Sequence, residues 1–128
     1  MRVLLIEDDG LVRATLSDAL DREGVEVDGL SNAEDALILL GAGQVPDVLV
    51  SDVHLGTGLS GFDLADIARE RHPDVEVILI SGTAPLPADD GMLTRRHQRF
   101  LRKPFAPDDL LAAIRDAAAE AERDAGQG

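Results

Sequence analysis

Three short apolar runs constrain this chain more than anything else in it. Val3-Leu4-Leu5-Ile6, Val48-Leu49-Val50 and Val77-Ile78-Leu79-Ile80 are continuous and rich in β-branched residues, as strands buried on both faces require. Such strands need helices on both sides, and the intervening segments supply them. Val12, Leu16, Ala19 and Leu20 mark one helical stripe, with Gly24 at its C-cap. Ser31 and Glu34 have capping-box spacing and open a second helix through Ala36, Leu37 and Leu40. A third starts near Gly61, carries Leu64, Ile67 and Ala68, and stops before Pro73. A fourth is expected between Pro87 and Gln98. A fifth has Pro107 in its first turn, then Leu110, Leu111, Ile114 and Ala118 at helical spacing. Two polar stretches, Val25-Glu26-Val27-Asp28 and Phe100-Leu101 between Arg99 and Arg102, suit the edges of a sheet.

Five strands alternating with five helices predict an α/β architecture: a doubly wound, five-stranded parallel sheet in the flavodoxin-like order 2-1-3-4-5. That order makes the first, third and fourth strands central, and these are the three apolar ones. The length of 128 residues fits one domain, residues 1–120, and a short polar tail, 121–128, expected to fray. No run is long enough to cross a membrane, and no signal-peptide pattern opens the chain. A cytoplasmic protein is expected. Cysteine is absent, which excludes disulfides and thiolate metal sites. A net charge of −13 argues against direct binding to nucleic acid, whose phosphates demand positive surface. Lys103 is the only lysine; every other basic residue is arginine. Keeping one ammonium in such a chain suggests a position that a guanidinium does not serve.

In an open α/β sheet, ligands bind beyond the carboxyl ends of the strands, where strand order reverses. Those ends carry Glu7 and Asp8 after the first strand, Asp52 after the third, Ser81 after the fourth and Lys103 after the fifth. Each alone has an ordinary explanation. Acids before a helix favour its N-terminus, as Asp9 is expected to do; Ser81-Gly82 is a common strand exit, and Lys103-Pro104 reads as a turn. Together they form a set. Unit charges 4 Å apart repel by roughly 4 kcal/mol at an effective dielectric near 20, so three carboxylates in one crevice call for a counter-ion. A hard divalent cation such as Mg²⁺ takes carboxylate oxygens and phosphate oxygens together. An aspartate nucleophile, a metal, an ammonium and a hydroxyl are sufficient for phosphoryl transfer.

The residues that carry this chemistry resemble the receiver domain of bacterial two-component response regulators. The likeness runs through Val3-Leu4-Leu5-Ile6-Glu7-Asp8-Asp9, Pro46-Asp47-Val48-Leu49-Val50-Ser51-Asp52, Ile78-Leu79-Ile80-Ser81-Gly82 and Phe100-Leu101-Arg102-Lys103-Pro104-Phe105, and so covers essentially the whole chain. It implies that Asp52 is the phosphoacceptor, fed by a histidine kinase or a histidine phosphotransfer protein. It implies Mg²⁺ held by Asp8 and Asp52, by Glu7 through water and by the backbone carbonyl of His54. It assigns Lys103 to the phosphoryl group, Ser81 and Phe100 to the switch, and a cis peptide to Lys103-Pro104. A phosphoryl group near −2 in charge would draw the Ser81 hydroxyl inward and let Phe100 turn, remodelling the face of the fourth helix, fifth strand and fifth helix. The resemblance implies a signalling switch that is not an enzyme beyond its own phosphorylation and dephosphorylation.

Departures from the family pattern concern the loop after the acceptor and the last helix. Leu55-Gly56-Thr57-Gly58-Leu59-Ser60-Gly61 lacks the proline common there and carries one more residue, similar to receivers of hybrid histidine kinases and to some that stand alone. Ala106 replaces a usual capping aspartate. Within the family, a hybrid-kinase receiver or a phosphate sink without output is the alternative. Outside it, a magnesium phosphohydrolase of the haloacid dehalogenase type would want an aspartate where His54 stands. A flavodoxin-like cofactor binder would be repelled by Glu7 and Asp8. Output is expected through protein contact, to a downstream partner or a second copy, with Arg95, Arg96, His97, Arg99 and Arg102 as the basic cluster on the switching face.

Overall fold

The computed structural model of the chain describes residues 1–56, 58–82 and 97–127. Its elements, in chain order, are β1 (Arg2–Ile6), α1 (Gly10–Arg22), β2 (Glu26–Leu30), α2 (Ala33–Gly41), β3 (Val48–Asp52), α3 (Gly61–Arg71), β4 (Glu76–Ser81), β5 (Gln98–Arg102) and α4 (Pro107–Gln127). The strands form one parallel sheet in the order β2-β1-β3-β4-β5, as the apolar pattern requires. β3 and β4 are buried along their whole length, whereas β2 and β5 alternate with more exposed positions. The helix expected between Pro87 and Gln98 lies outside the described residues, so α4 here is the fifth helix of the sequence pattern.

Side-chain alternation along the strands divides the core into two layers. Leu4, Ile6, Leu49, Val77 and Leu79 face α2 and α3, packing with Ala36, Leu40, Leu64 and Ala68. Val3, Leu5, Val50, Ile78 and Ile80 face α1 and α4, packing with Leu16, Leu20, Leu110 and Ile114. Each fully buried leucine or isoleucine contributes about 1.5–3 kcal/mol through removal of apolar surface from water. Both layers are needed because a parallel sheet leaves neither face to solvent.

Helix ends follow local chemistry, with some differences from the sequence pattern. Asp9 caps α1, accepting from the Leu11 and Val12 N–H groups at 2.9 and 3.2 Å. α2 is capped by Asn32, which accepts from the Asp35 N–H at 2.8 Å; the Ser31–Glu34 capping box is therefore displaced by one residue. Asparagine satisfies the same orphan N–H, and Glu34 is freed to face a loop. Ser60 and Asp63 form a reciprocal capping box at the start of α3. Ala106 offers no side chain, but its N–H donates to Asp109 at 2.9 Å. α4 continues to Gln127, through the residues read from the sequence as a fraying tail. Alanines at 117–119 and 121 are strong helix formers, which explains the extension.

One buried polar network lies at the amino-terminal edge of the sheet. Glu76 opens β4 with no exposed surface, and its carboxylate contacts His97 Nδ1. Arg99 reaches the other Glu76 oxygen at 3.3 Å and the Glu120 carboxylate of α4 at 2.6 Å. On the opposite face of β5, Gln98 accepts from Arg69 of α3 at 2.5 Å. His97 adopts a left-handed backbone, φ 65°, uncommon for a residue with a Cβ. The basic cluster is thus corrected in part: His97 and Arg99 pair with buried and half-buried glutamates of this same chain. Arg102 is exposed, and Arg95 and Arg96 lie outside the described residues.

Candidate functional site

The carboxyl ends of β1, β3, β4 and β5 converge on one crevice. Asp52 is the last residue of β3 and is 5% exposed; Glu7 follows β1 and is 3% exposed; Asp8 beside it faces solvent. Carboxylate oxygens of Glu7, Asp8 and Asp52 lie within 4.8 Å of one another. Lys103, directly after β5, places its Nζ 2.5 Å from Asp52 Oδ2. The other Asp52 oxygen accepts the backbone N–H of His54 at 3.2 Å, while the His54 side chain is exposed.

Small residues make this convergence possible. A Cβ on Gly82 would press against the Lys103 Cδ at 3.3 Å, so the Ser81-Gly82 exit leaves a lane for the lysine stem. Ser81 is buried at the end of β4, and its carbonyl accepts the Lys103 N–H at 2.9 Å. The Lys103–Pro104 peptide bond is cis. Gly61 packs directly on Asp52: its N–H donates to the Val53 carbonyl at 2.9 Å, and a Cβ there would collide with the Asp52 backbone carbonyl. Gly56 and Gly58 both take positive φ, 78° and 87°, in the loop that follows. Gly56 faces Asp8 and Gly58 faces the Glu34 carboxylate of α2. Thr57 of that loop lies outside the described residues.

Phe100 sits mid-strand in β5, half-buried against the layer of α2 and α3, its ring 5.9 Å from that of Phe62. It lies outside the crevice, on the strand that ends just before Lys103. Beside Lys103, the crevice continues into a cavity of about 280 Å³ lined by Glu7, Val12, Leu16, Lys103, Pro104 and Phe105.

The electrostatics match the geometry. Burial pushes the Glu7 carboxyl up to about 7, and the charge and contact of Asp52 add to the rise; the Asp9 N–H, at 3.2 Å, and Lys103 oppose it. For Lys103, burial works against the charge, but the hydrogen bond and charge of Asp52, with Glu7 and Asp8 behind them, hold its pKa above the usual value. One ammonium faces three carboxylates, and the surplus is negative. A donor set made only of hard carboxylate oxygens, carrying more negative charge than one ammonium offsets, fits a hard divalent cation such as Mg²⁺ and does not fit a soft metal.

Two contributors were not singled out in the sequence. Arg13 of α1 donates from Nη1 to the Glu7 carbonyl at 2.7 Å. Glu34 accepts the Leu59 N–H at 3.4 Å, holding the loop after Asp52. Gly29 within β2 was the available signal for the first, since glycine inside a strand often marks a close approach.

The chain matches the response regulator receiver domain family over residues 3–115. It is 35% identical over 116 residues to the C4-dicarboxylate transport transcriptional regulatory protein DctD of Pseudomonas aeruginosa, covering 91% of this chain and 25% of that protein. It is 33% identical over 115 residues to the DNA-binding transcriptional regulator NtrC of Proteus hauseri, covering 90% of this chain and 24% of that protein. The chain therefore spans about a quarter of the length of these curated relatives. Among solved structures, a response regulator receiver protein from Sinorhizobium medicae superposes with a TM-score of 0.84 at 26% identity, covering 94% of this chain and 96% of that one.

Proposed function

The chain belongs to the response regulator receiver domain family, and from that premise we propose that Asp52 is its phosphoacceptor. The family's role is phosphoacceptor signalling within two-component phosphorelays. The observation that carries the residue assignment is the Lys103 ammonium 2.5 Å from a nearly buried Asp52 with Glu7 and Asp8 alongside. A carboxylate oxygen of Asp52 attacks phosphorus, the bond from phosphorus to the donor's imidazole nitrogen breaks, and an acyl phosphate forms on Asp52. Lys103 then lies where it can pair with a phosphoryl oxygen, and the buried Ser81 hydroxyl is a candidate donor to another.

Asp8 and Asp52, with Glu7 at one remove and the His54 carbonyl, would hold Mg²⁺. When bound, that ion would neutralise charge on the phosphoryl oxygens. The protein's share is placement: Glu7, Asp8 and Asp52 are fixed at strand ends, and the His54 N–H orients the acceptor carboxylate. Phe100 and Ser81 would form the switch, and the face around β5 and α4 the output surface.

The donor we propose is a histidine kinase or a histidine phosphotransfer protein, on the cytoplasmic side; among the described residues no helix is long and apolar enough to cross a membrane. The relative NtrC is named a DNA-binding regulator, but a chain of net charge −13 suits protein contact better than a phosphate backbone. The domain, residues 1–120, would therefore signal as a switch and not as an enzyme acting on other substrates. Incubation with a small-molecule phosphodonor and Mg²⁺ tests the acceptor. Wild type should take up one phosphoryl group and Asp52→Asn none; full labelling of the variant contradicts the assignment.

A further inference from the structure

We propose that Arg13 is a positioning residue for the Glu7–Asp8 turn, setting the crevice's affinity for a divalent cation; this rests on the reading of that crevice given above. Glu7 is held through its backbone and its carboxylate. The Glu7 N–H donates to the Leu30 carbonyl at 2.9 Å, and the Glu7 carboxylate accepts the Asp9 N–H at 3.2 Å. Asp9 in turn caps α1. The remaining handle is the Glu7 carbonyl, which accepts from the Arg13 guanidinium at 2.7 Å.

The fold makes room for this reach. A Cβ on Gly29 of β2 would stand 3.2 and 3.3 Å from the Arg13 Cγ and Cδ, and 3.3 Å from the Ser17 hydroxyl. A Cβ on Gly10 would meet the Arg13 Nη2 only at ordinary van der Waals distance, 3.5 Å. Glycine at position 29 leaves the room through which the side chain passes from the first turn of α1 to the carbonyl. A long, forked donor suits this position, because it satisfies a carbonyl at the strand end while its stem covers apolar surface.

Charge and geometry make opposite predictions here, which makes the inference testable. A guanidinium near a cation site repels the cation, so if charge were its only effect, removing it would tighten binding. If Arg13 holds the turn, removal releases Glu7 and Asp8 and weakens binding. Outer partners of metal ligands commonly govern about ten- to a hundredfold in affinity.

The experiment is a Mg²⁺ titration of the full chain followed by amide NMR shifts, on wild type, Arg13→Gln, Arg13→Lys and Gly29→Ala. The expected result is Mg²⁺ binding weakened about tenfold in Arg13→Gln, partly restored in Arg13→Lys, and weakened in Gly29→Ala, which changes no charge. The amide spectra report whether each variant is folded, and should Arg13→Gln fail to fold, the other two decide. Unchanged or tighter binding in Arg13→Gln, or in Gly29→Ala if Arg13→Gln does not fold, overturns the inference while leaving the crevice reading intact. No Mg²⁺ binding by wild type overturns the crevice reading and this inference with it.

Discussion

At the scale of single residues, the chemistry of this chain is concentrated in the pairing of Asp52 with Lys103 and in the protonation of Glu7. Glu7 has its pKa raised to about 7, chiefly by burial and then by Asp52. The folded chain therefore binds this proton more tightly than the unfolded chain, and the stability linked to it is lost as pH rises through about 7. A divalent cation in the crevice must displace that proton. Apparent Mg²⁺ affinity should rise up to about tenfold per pH unit below the Glu7 pKa and level off above it. In Glu7→Gln the dependence should flatten. Titration of Mg²⁺ binding between mildly acid and mildly alkaline pH checks this; an identical slope in the variant contradicts the role given to Glu7.

At the scale of elements, β5 is held at both ends by polar contacts. Its start is tied to β4 and α4 through Glu76, His97, Arg99 and Glu120, and its end presents Lys103 to Asp52. Burial raises the Glu76 pKa, Glu120 adds to the rise, and His97 and Arg99 draw it back. Stability linked to this proton is complete below the ordinary glutamate value and is lost as pH rises through the folded pKa. Denaturant unfolding of the metal-free chain should show stability falling with pH, and Glu76→Gln should reduce that slope by up to about 1.4 kcal/mol per pH unit. Added Mg²⁺ should cancel the Glu7 share and leave the Glu76 share. An unchanged slope in Glu76→Gln would show that the buried carboxylate does not hold this proton. The network was not legible in the sequence, because β4 starts on a glutamate whose partners lie 21 residues away and further. Periodicity finds apolar faces; it does not find a carboxylate that is buried because a histidine and an arginine arrive from elsewhere. The three apolar strands were legible for the opposite reason, since burial on both faces leaves no polar position to interrupt them. The cap of α2 was misplaced by one residue because Ser31 and Asn32 are both good caps and only the geometry of Asp35 decides between them.

At the scale of the whole molecule, strand order places Glu7, Asp8, Asp52, Ser81 and Lys103 together. Their convergence was legible because it needs only the topology and the residue at each strand end. Arg13 was not, since it acts on a backbone carbonyl and its only trace is Gly29 in a neighbouring strand. The central claim is that this crevice turns a repulsive cluster of acids into a cation-dependent phosphoryl acceptor. Site mapping by mass spectrometry tests it most directly, after exposure to a phosphodonor and borohydride reduction of the acyl phosphate. The account predicts reduction at Asp52 alone, with Mg²⁺ present, and none when the metal is chelated. Modification at another residue, or at Asp52 regardless of metal, would contradict it.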